Sequence, residues 1–229
     1  MIPFRFSFFV IGLAAVNLFS GCRTQHAESS GWEPLFDGKS LKGWHVFLKD
    51  RNAVVSDTNH LVQVHEGEIQ FYKDAEAGRS QPSGCVMTDK EFSNYHLRLE
   101  YKWGEKKFSS RPNARRNSGL LYHCGADKVW PDSVQCQIQE EDTGDLFALS
   151  TRVTSSVDPA TTNAIPVFLE GGVLLDQGAF GTNVRFIRNP MNEHAGWNTV
   201  EIIVRGDSAT HIVNGKVNNR CSNIRQKTG

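Results

Sequence analysis

NSGLLYHCGADKVWPDSVQCQIQEEDTGDLFAL, residues 117–149, is the stretch around which the rest of the chain is organised. It predicts two short strands joined by a loop, followed by a run of carboxylates that ends at Gly144-Asp145. Gln135, Gln137 and Gln139 alternate with apolar residues, so the three amides project to one side of the second strand. A row of amides on one face of a sheet suggests a polar ligand.

Composition and charge limit the class of protein. The 229 residues suffice for one all-β domain or two small ones, and 20 glycines, 14 phenylalanines and 5 tryptophans fit a sheet-rich domain with many turns. Lys plus Arg equals Asp plus Glu at 25 each, so the formal charge is zero. This balance argues against a nucleic-acid partner, since such proteins usually carry a basic excess or stripe.

The N-terminal residues predict an exported, lipid-anchored protein. Arg5 precedes an apolar run at 6–19, which is too short to span a bilayer as a stable helix. Small residues before Cys22 resemble a lipobox, which predicts a signal peptide at 1–21, lipidation of Cys22 and a polar tether at 22–31. We therefore expect a membrane-surface contact in a bacterial cell envelope, on the periplasmic or outer-membrane face. The alternative is an ordinary signal peptide with an incidental cysteine.

The remaining cysteines are Cys85, Cys124, Cys136 and Cys221. Four cysteines allow three disulfide connectivities, and an exported protein permits any of them. Cys124 and Cys136 lie on consecutive predicted strands and could approach each other, but buried free thiols are the favoured interpretation. Their spacing matches no zinc site.

Alternating apolar residues and turn signals predict many short strands. The clearest strand is 95–103, a hairpin is predicted at 61–71 around Glu66-Gly67, and Asn214-Gly215 is the strongest hairpin signal. Further strands are predicted at 84–88, 199–205 and 210–213, whereas residues 150–166 are predicted to form a long loop. Strands at this spacing favour a two-sheet sandwich. After Val217 no regular strand is recognisable, so either the last strand is unusual or the chain is truncated.

Five segments, taken in order, resemble one family: PLFDGKSLKGW at 34–44, HLRLEYKW at 96–103, NSGLLYH at 117–123, residues 135–145, and GWNTVEIIVRGDSATHIVNGK at 196–216. Together they are similar to the 3-keto-disaccharide hydrolase domain family. The resemblance covers nearly all of a predicted domain at 32–229. It implies an all-β jelly-roll sandwich of the concanavalin or laminin-G type. It also implies an exported enzyme that acts on a carbohydrate substrate oxidised at C3.

Two departures from the family pattern stand out. The family commonly has Glu-x-Gln where this chain has Gln135-Cys136-Gln137, so an amide replaces a carboxylate. If that carboxylate is needed, activity would be weak, altered or lost. The family also usually ends with a strand that contains a glycine and an arginine. That strand is not recognisable here, so the fold could lack its last strand.

The chemistry implied by the resemblance needs few groups. A ketone at C3 acidifies the C2 proton, so a base can remove it while donors to the ketone oxygen stabilise the enolate. The aglycone at C1 then leaves, and water can add. A divalent metal could polarise the ketone instead, although the sequence does not specify the cofactor.

Residues in and near the opening stretch supply the first candidates. His123 is the leading base or metal ligand, against the usual alternative of a surface or hydrogen-bonded core histidine. Gln135 and Gln137 could bind hydroxyls or the oxyanion, or could form a structural glutamine ladder. Asn117 could bind the ligand or form only a turn before the strand.

Further candidates lie elsewhere along the chain. Glu100 and Lys102 share the polar side of the clearest strand, where an exposed ion pair worth under ~1 kcal/mol is the simpler interpretation. Asp145 could be a catalytic or orienting carboxylate, or part of a solvated turn. Trp130 could stack on a sugar ring or pack against its own loop.

Two functions from different classes follow. The first is a hydrolase or lyase that cleaves 3-keto-glycosides and 3-keto-disaccharides. The second is a non-catalytic carbohydrate-binding module on a membrane anchor, since jelly rolls serve both purposes. A purely structural surface lipoprotein is a weaker third.

Overall fold

The computed structural model describes residues 3–9, 31–48, 53–54, 61–108, 113–126 and 128–227. Within these residues the chain forms strands and one short 3-10 helix, Pro159–Thr161. The strands are β1 (Pro3–Phe9), β2 (Trp32–Glu33), β3 (Trp44–Leu48), β4 (Ala53–Val54), β5 (Val62–His65), β6 (Glu68–Phe71), β7 (Gly84–Thr88), β8 (Tyr95–Tyr101), β9 (Asn117–Tyr122), β10 (Ser133–Gln139), β11 (Leu146–Leu149), β12 (Arg152–Val157), β13 (Val173–Gln177), β14 (Asn183–Phe186), β15 (Asn198–Arg205), β16 (Ser208–Val213) and β17 (Lys216–Arg225).

Two antiparallel sheets form the body of a jelly-roll sandwich. The larger sheet has the order β13-β12-β17-β16-β15-β8-β1-β6-β5, with β2 paired to β1. The smaller sheet has the order β14-β11-β10-β9. Apolar residues alternate along these strands, because every second side chain faces the opposing sheet. The expected all-β sandwich is therefore confirmed.

The main core lies between these two sheets. The smaller sheet contributes Val134, Cys136 and Ile138 from β10, all fully buried. The larger sheet contributes Leu99 and Tyr101 from β8, along with residues of β15 and β16. This packing assigns each strand an inner and an outer side. The outer side of the smaller sheet carries the amides that the sequence singled out.

A second core lies beside the β5-β6 hairpin. Phe36, Val46, Leu48, Val62 and Ile69 are buried together there. Residues Val46 and Leu48 belong to a three-stranded sheet of order β4-β3-β7. The hairpin itself turns at Glu66-Gly67 as the sequence predicts.

The backbone of β1 pairs with β8 on one side and with β6 on the other. The sequence assigns these residues to a signal peptide, and this pairing does not test whether the segment is removed. Cys22, the rest of the apolar run and the tether up to residue 30 lie outside the described residues. In the part of the chain that is described, no helix is long and apolar enough to cross a membrane.

One prediction about the chain after residue 149 was wrong, and the structure has a strand in a region where the sequence reveals none. The predicted loop at 150–166 contains β12, in which Val153 and Val157 are fully buried in the core. The region after Val217, where no strand was recognisable, lies within β17, which pairs with both β16 and β12. Two asparagines at 218 and 219 hid this strand, since asparagine is depleted in strands.

Cys136 and Cys221 are free thiols in the main core. Cys136 and Cys221 are buried, Cys85 is half-buried and Cys124 is exposed. The sequence favours buried free thiols over a disulfide, and only Cys136 and Cys221 are buried as expected.

Candidate functional site

Four amide side chains form a hydrogen-bonded row on the outer side of the smaller sheet. We call Asn117, Gln135, Gln137 and Gln139 the amide row. Gln135 Nε2 donates to Gln137 Oε1. Gln137 Nε2 donates in turn to Gln139 Oε1 at 2.8 Å and to Asn117 Oδ1 at 3.3 Å. The structure therefore brings together three of the predicted ligand-binding residues, Asn117, Gln135 and Gln137.

The conformation of Gln135 depends on a glycine in the neighbouring strand. Gly119 of β9 is the register partner of Gln137. A Cβ atom at position 119 would lie 2.6 Å from Gln135 Nε2 and 2.7 Å from its Cδ. The Gln135 amide therefore packs against the backbone of Gly119, where no side chain is present, and from there it reaches Gln137.

An aromatic ring and an arginine extend the same outer face. The register aligns Gln135 with Phe147 of β11, and Phe147 with Arg185 of β14. Partners in an antiparallel sheet share a face, so these three side chains stand in one line across the sheet. Phe147 is half-buried, and Arg185 Cζ lies 5.6 Å from the centre of its ring.

Asp145 holds Arg185 in place. Arg185 Nε donates to Asp145 Oδ2 at 2.6 Å, and Arg185 Nη2 pairs with the same oxygen. The other oxygen, Oδ1, accepts from the backbone N–H of Arg188 at 2.8 Å and from its Nη1 at 3.1 Å. Asp145 is fully buried, so its charge is balanced entirely by these arginines. This arrangement makes Asp145 an orienting residue.

The turn between β10 and β11 is fixed by further ion pairs. We call residues 140–144 the acidic turn. Asp142 pairs with Arg115 at 2.8 Å and with Arg185 at 3.1 Å, while Glu140 pairs with Arg116 at 2.8 Å. Gly144 closes the turn at φ 102°, in the region that favours glycine. These carboxylates are thus engaged by arginines.

Glu193 fastens the acidic turn to the core. Its Oε1 accepts from the Tyr101 hydroxyl at 2.7 Å and from Trp103 Nε1 at 2.6 Å. Its Oε2 accepts from the backbone N–H of Glu141 at 2.7 Å. The acidic turn is therefore connected to both sheets and forms a rigid border for the amide row.

Two polar groups on this face remain open towards solvent. Gln135 Oε1 accepts no hydrogen bond from a described residue, and Arg185 Nη1 donates none. Neither atom is among the buried polar atoms that lack a partner, so each keeps some contact with solvent, although Gln135 as a whole is only 8% exposed and the Arg185 side chain 31%. The face thus offers one acceptor and one cationic donor on opposite sides of Phe147.

His123 does not lie in the amide row. Strand β9 ends at Tyr122, and His123 follows with φ 52°, so the alternation predicted for residues 117–123 stops before the histidine. Its imidazole lies beside Gly206 and Asp207, in the β15–β16 turn. Burial lowers the pKa of His123, and Asp207 and Gly206 only partly oppose this. Its Nε2 is buried without a hydrogen-bond partner among the described residues.

Glu100 and Lys102 lie on the outer side of the larger sheet. Their neighbours Leu99 and Tyr101 face the main core, so the residues between them face away from it. Lys102 Nζ lies 3.8 Å from Glu68 and 4.8 Å from the centre of the Trp197 ring. The sandwich core therefore separates these two candidates from the amide row.

The last candidates are a loop tryptophan and a metal site. Trp130 lies in the loop between β9 and β10, with φ 57° and 52% of its surface exposed, so stacking on a sugar stays a prediction. Among the described residues no group of three or more histidine, cysteine, aspartate or glutamate side chains could hold a metal ion.

Sequence reasoning missed Arg185, Arg188 and Phe147. Their strands pair with β10 only through β11, so no spacing along the chain links them to the glutamines. The sequence offers one signal, Asp145 next to Gly144. If a carboxylate at such a turn is buried, it needs a cationic partner.

The fold defines an all-β jelly-roll protein. A search of curated proteins returned no match to the chain. A family model described as the 3-keto-alpha-glucoside-1,2-lyase-like domain matches residues 31–229. The chain belongs to this family, as its motifs predicted, and this membership supports a carbohydrate-related function.

Proposed function

We propose that the protein is an exported enzyme that cleaves the glycosidic bond of 3-keto-glycosides and 3-keto-disaccharides by elimination, with hydration as a following step. The observation that carries the proposal is the amide row with Arg185, a polar face on the outer side of the smaller sheet in a chain whose family model is described as a 3-keto-alpha-glucoside-1,2-lyase-like domain. Amides bind sugar hydroxyls in both directions, because each amide offers an acceptor and two donor hydrogens.

The proposed reaction needs no redox step. A base removes the C2 proton, and the C–H electron pair forms the C2=C3 bond of an enolate whose charge lies on the ketone oxygen. The ketone then reforms, the C1=C2 bond forms and the C1–O bond breaks, so the aglycone oxygen leaves and takes a proton. Water can add across the new double bond to give net hydrolysis.

His123 remains the predicted base. Its lowered pKa favours the neutral imidazole near pH 7, the form that can accept a proton. Its Nε2 has no competing hydrogen bond from a described residue. Because Nε2 is buried and lies beyond the amide row, the substrate would reach it only if the residues after β9 move.

A non-catalytic carbohydrate-binding module is the second candidate. The observation that favours it is the pairing of Glu140, Asp142 and Asp145 with arginines, which leaves these carboxylates unsuited to act as a base. Position 135 is an amide as well.

Incubation of the purified protein with a 3-keto-disaccharide, with and without a chelator, separates the two candidates. Turnover would release a free sugar and produce the ultraviolet absorbance of the conjugated enone. Binding without release at any metal content would exclude the enzyme and favour the binding module. Full activity in His123→Ala would exclude His123 as the base.

Export and anchoring are tested separately at Cys22. We expect the mature protein from bacterial membranes to begin at a lipid-modified Cys22, with residues 1–21 removed. Mass spectrometry of the N-terminal peptide measures this. In Cys22→Ser we expect no lipid modification, whereas Cys124→Ser, the matched change at an exposed cysteine, should keep it. An unmodified Cys22 in membrane-derived protein would contradict the anchor.

A further inference from the structure

A guanidinium group on the amide-row face is held rigid while one of its nitrogens stays open. Arg185 uses Nε and Nη2 to bind Asp145 and Asp142, and its Nη1 reaches solvent. Because Asp145 is fully buried and also bound by Arg188, the carboxylate cannot swing away. The open N–H groups of Nη1 therefore point in a fixed direction.

The charge around Arg185 suits a neutral group that becomes negative during the reaction. Asp142 and Asp145 balance the positive charges of Arg185 and Arg188, so this group of four has no net charge. A neutral environment gives little long-range attraction for a substrate that is already anionic. An oriented donor nevertheless stabilises negative charge that develops at short range, because it needs no reorganisation at that moment.

The opposite side of Phe147 offers the complementary group. Gln135 Oε1 is an open acceptor, and its own Nε2 is committed to Gln137. Positions 135 and 185 lie two strands apart, which corresponds to about 10 Å between their Cα atoms. A donor and an acceptor on opposite sides of one half-buried ring can bind two separate oxygens of a substrate that lies across the ring.

We propose that Arg185 binds the ketone oxygen of the substrate and stabilises the enolate formed there, with Asp145 and Asp142 as positioning residues. On the other side of Phe147, Gln135 Oε1 accepts a hydrogen bond from a more distant hydroxyl of the substrate. This inference rests on the proposed cleavage by elimination and adds the oxyanion-binding residue to it. It does not use His123 as the base, because three strand spacings of about 4.8 Å separate Arg185 from the end of β9, whereas a ketone oxygen and the C2 proton are neighbours in the sugar. When the C2 proton leaves, the electron pair moves to the ketone oxygen, where Nη1 donates.

Kinetics of Arg185 variants on a nitrophenyl 3-keto-glucoside test the proposal. Arg185→Lys keeps the positive charge but loses the planar fork, and we expect kcat to fall about 100-fold while KM changes little. Arg185→Gly should lose more, and added guanidinium should restore part of its kcat. Asp142→Asn should lower kcat less than Arg185→Lys does, with KM unchanged.

Arg152 provides the matched control. Its exposed side chain pairs with Asp176 at 3.1 Å, so Arg152→Gly also removes one half of an arginine–aspartate pair. We expect wild-type kcat in this variant and no response to guanidinium. Melting temperatures identify variants that fail to fold. If Arg185→Gly is one of them, the kcat of Arg185→Lys tests the proposal instead.

The outcomes separate this inference from the proposed function. A wild-type protein that binds the glucoside but releases no nitrophenol contradicts the proposed function, and the inference with it. An active wild type with full kcat in Arg185→Lys overturns the inference alone. A folded Arg185→Gly protein whose lost kcat is not restored by guanidinium also overturns it.

Discussion

Gly119 determines where the Gln135 amide can lie. We expect Gly119→Ala to displace Gln135 from Gln137, because the new Cβ would stand 2.6 Å from Gln135 Nε2. Since a flexible side chain can move away, the free energy of unfolding should fall by only about 1 kcal/mol, while sugar binding weakens more strongly. Urea unfolding and calorimetric titration measure the two effects. Gly125→Ala is the control, since its Cβ would meet the nearest atom at 3.6 Å.

Burial should increase the contribution of the Asp145 ion pairs to stability. We expect Asp145→Ala to lower the free energy of unfolding by about 3 kcal/mol, because Arg185 and Arg188 would then share the single carboxylate of Asp142, and the backbone N–H of Arg188 would lose its acceptor. Asp176 also pairs with two arginines, Arg152 and Arg225, but on an exposed edge. Asp176→Ala should have a much smaller effect on urea unfolding. Equal losses in the two variants would contradict this account.

At the scale of the element, β17 is stabilised by a buried asparagine. Asn218 Oδ1 accepts from the backbone N–H of Val213 at 2.8 Å, and its Nδ2 donates to the carbonyl of Pro190. The side chain thereby ties the end of the β16–β17 hairpin to the segment that follows β14. A residue unfavourable in an ordinary strand is required at this one because it satisfies buried backbone groups.

Replacement of Asn218 tests this role. Asn218→Ala should cost about 1–3 kcal/mol of unfolding free energy, since two backbone groups lose their partner in a buried region. Asn183→Ala is the matched control, because Asn183 is exposed and accepts a single 3.3 Å hydrogen bond from Ser150. Denaturant unfolding of both variants measures the difference. A loss at Asn218 no greater than that at Asn183 would contradict the role.

The sheets also explain which elements the sequence could predict. The 95–103 and 199–205 segments alternate clearly, and β8 and β15 form there as adjacent strands. Strand β12 lacks such alternation, since Thr154, Ser155 and Ser156 separate its two buried valines. Its strand conformation depends on pairing with β13 and β17, which lie 16 or more residues further along the chain.

At the scale of the whole molecule, a histidine lies in the main core. Tyr122 Oη stands 2.8 Å from His211 Nε2 and 3.7 Å from Cys221 Sγ, and Cys136 is nearby. Burial lowers the pKa of His211 to about 3, and the Gly144 backbone offsets this only in part. Between that value and the pKa of about 6.5 in the unfolded chain, the unfolded state binds the extra proton.

This difference predicts acid sensitivity. The contribution of His211 to stability should be fully present above about pH 6.5 and should be lost as the pH falls towards 3, by up to about 1.4 kcal/mol per pH unit. In His211→Gln, which keeps an acceptor for Tyr122, the slope of unfolding free energy against pH should be shallower. His65→Gln, at an exposed site, should keep the wild-type slope. Identical slopes in all three proteins would refute the assignment.

The sequence by itself determined the family, the all-β class and the line of glutamines in β10. These properties depend on the local alternation of apolar and polar residues and on the order of the motifs, both of which are visible in the sequence. Gln135, Gln137 and Gln139 share one surface because a strand alternates whatever packs against it.

Only the tertiary structure decided which candidates share a site. Two polar strand faces look alike in the sequence, yet the core places Glu100 and Lys102 on one outer side of the sandwich and the amide row on the other. His123 lies outside the row because β9 ends at Tyr122 and the next residue has a positive φ. Arg185 shares a face with the row through strand pairing alone, because β14 reaches β10 only across β11. Such pairings are set by packing between distant segments, which spacing along the chain does not encode.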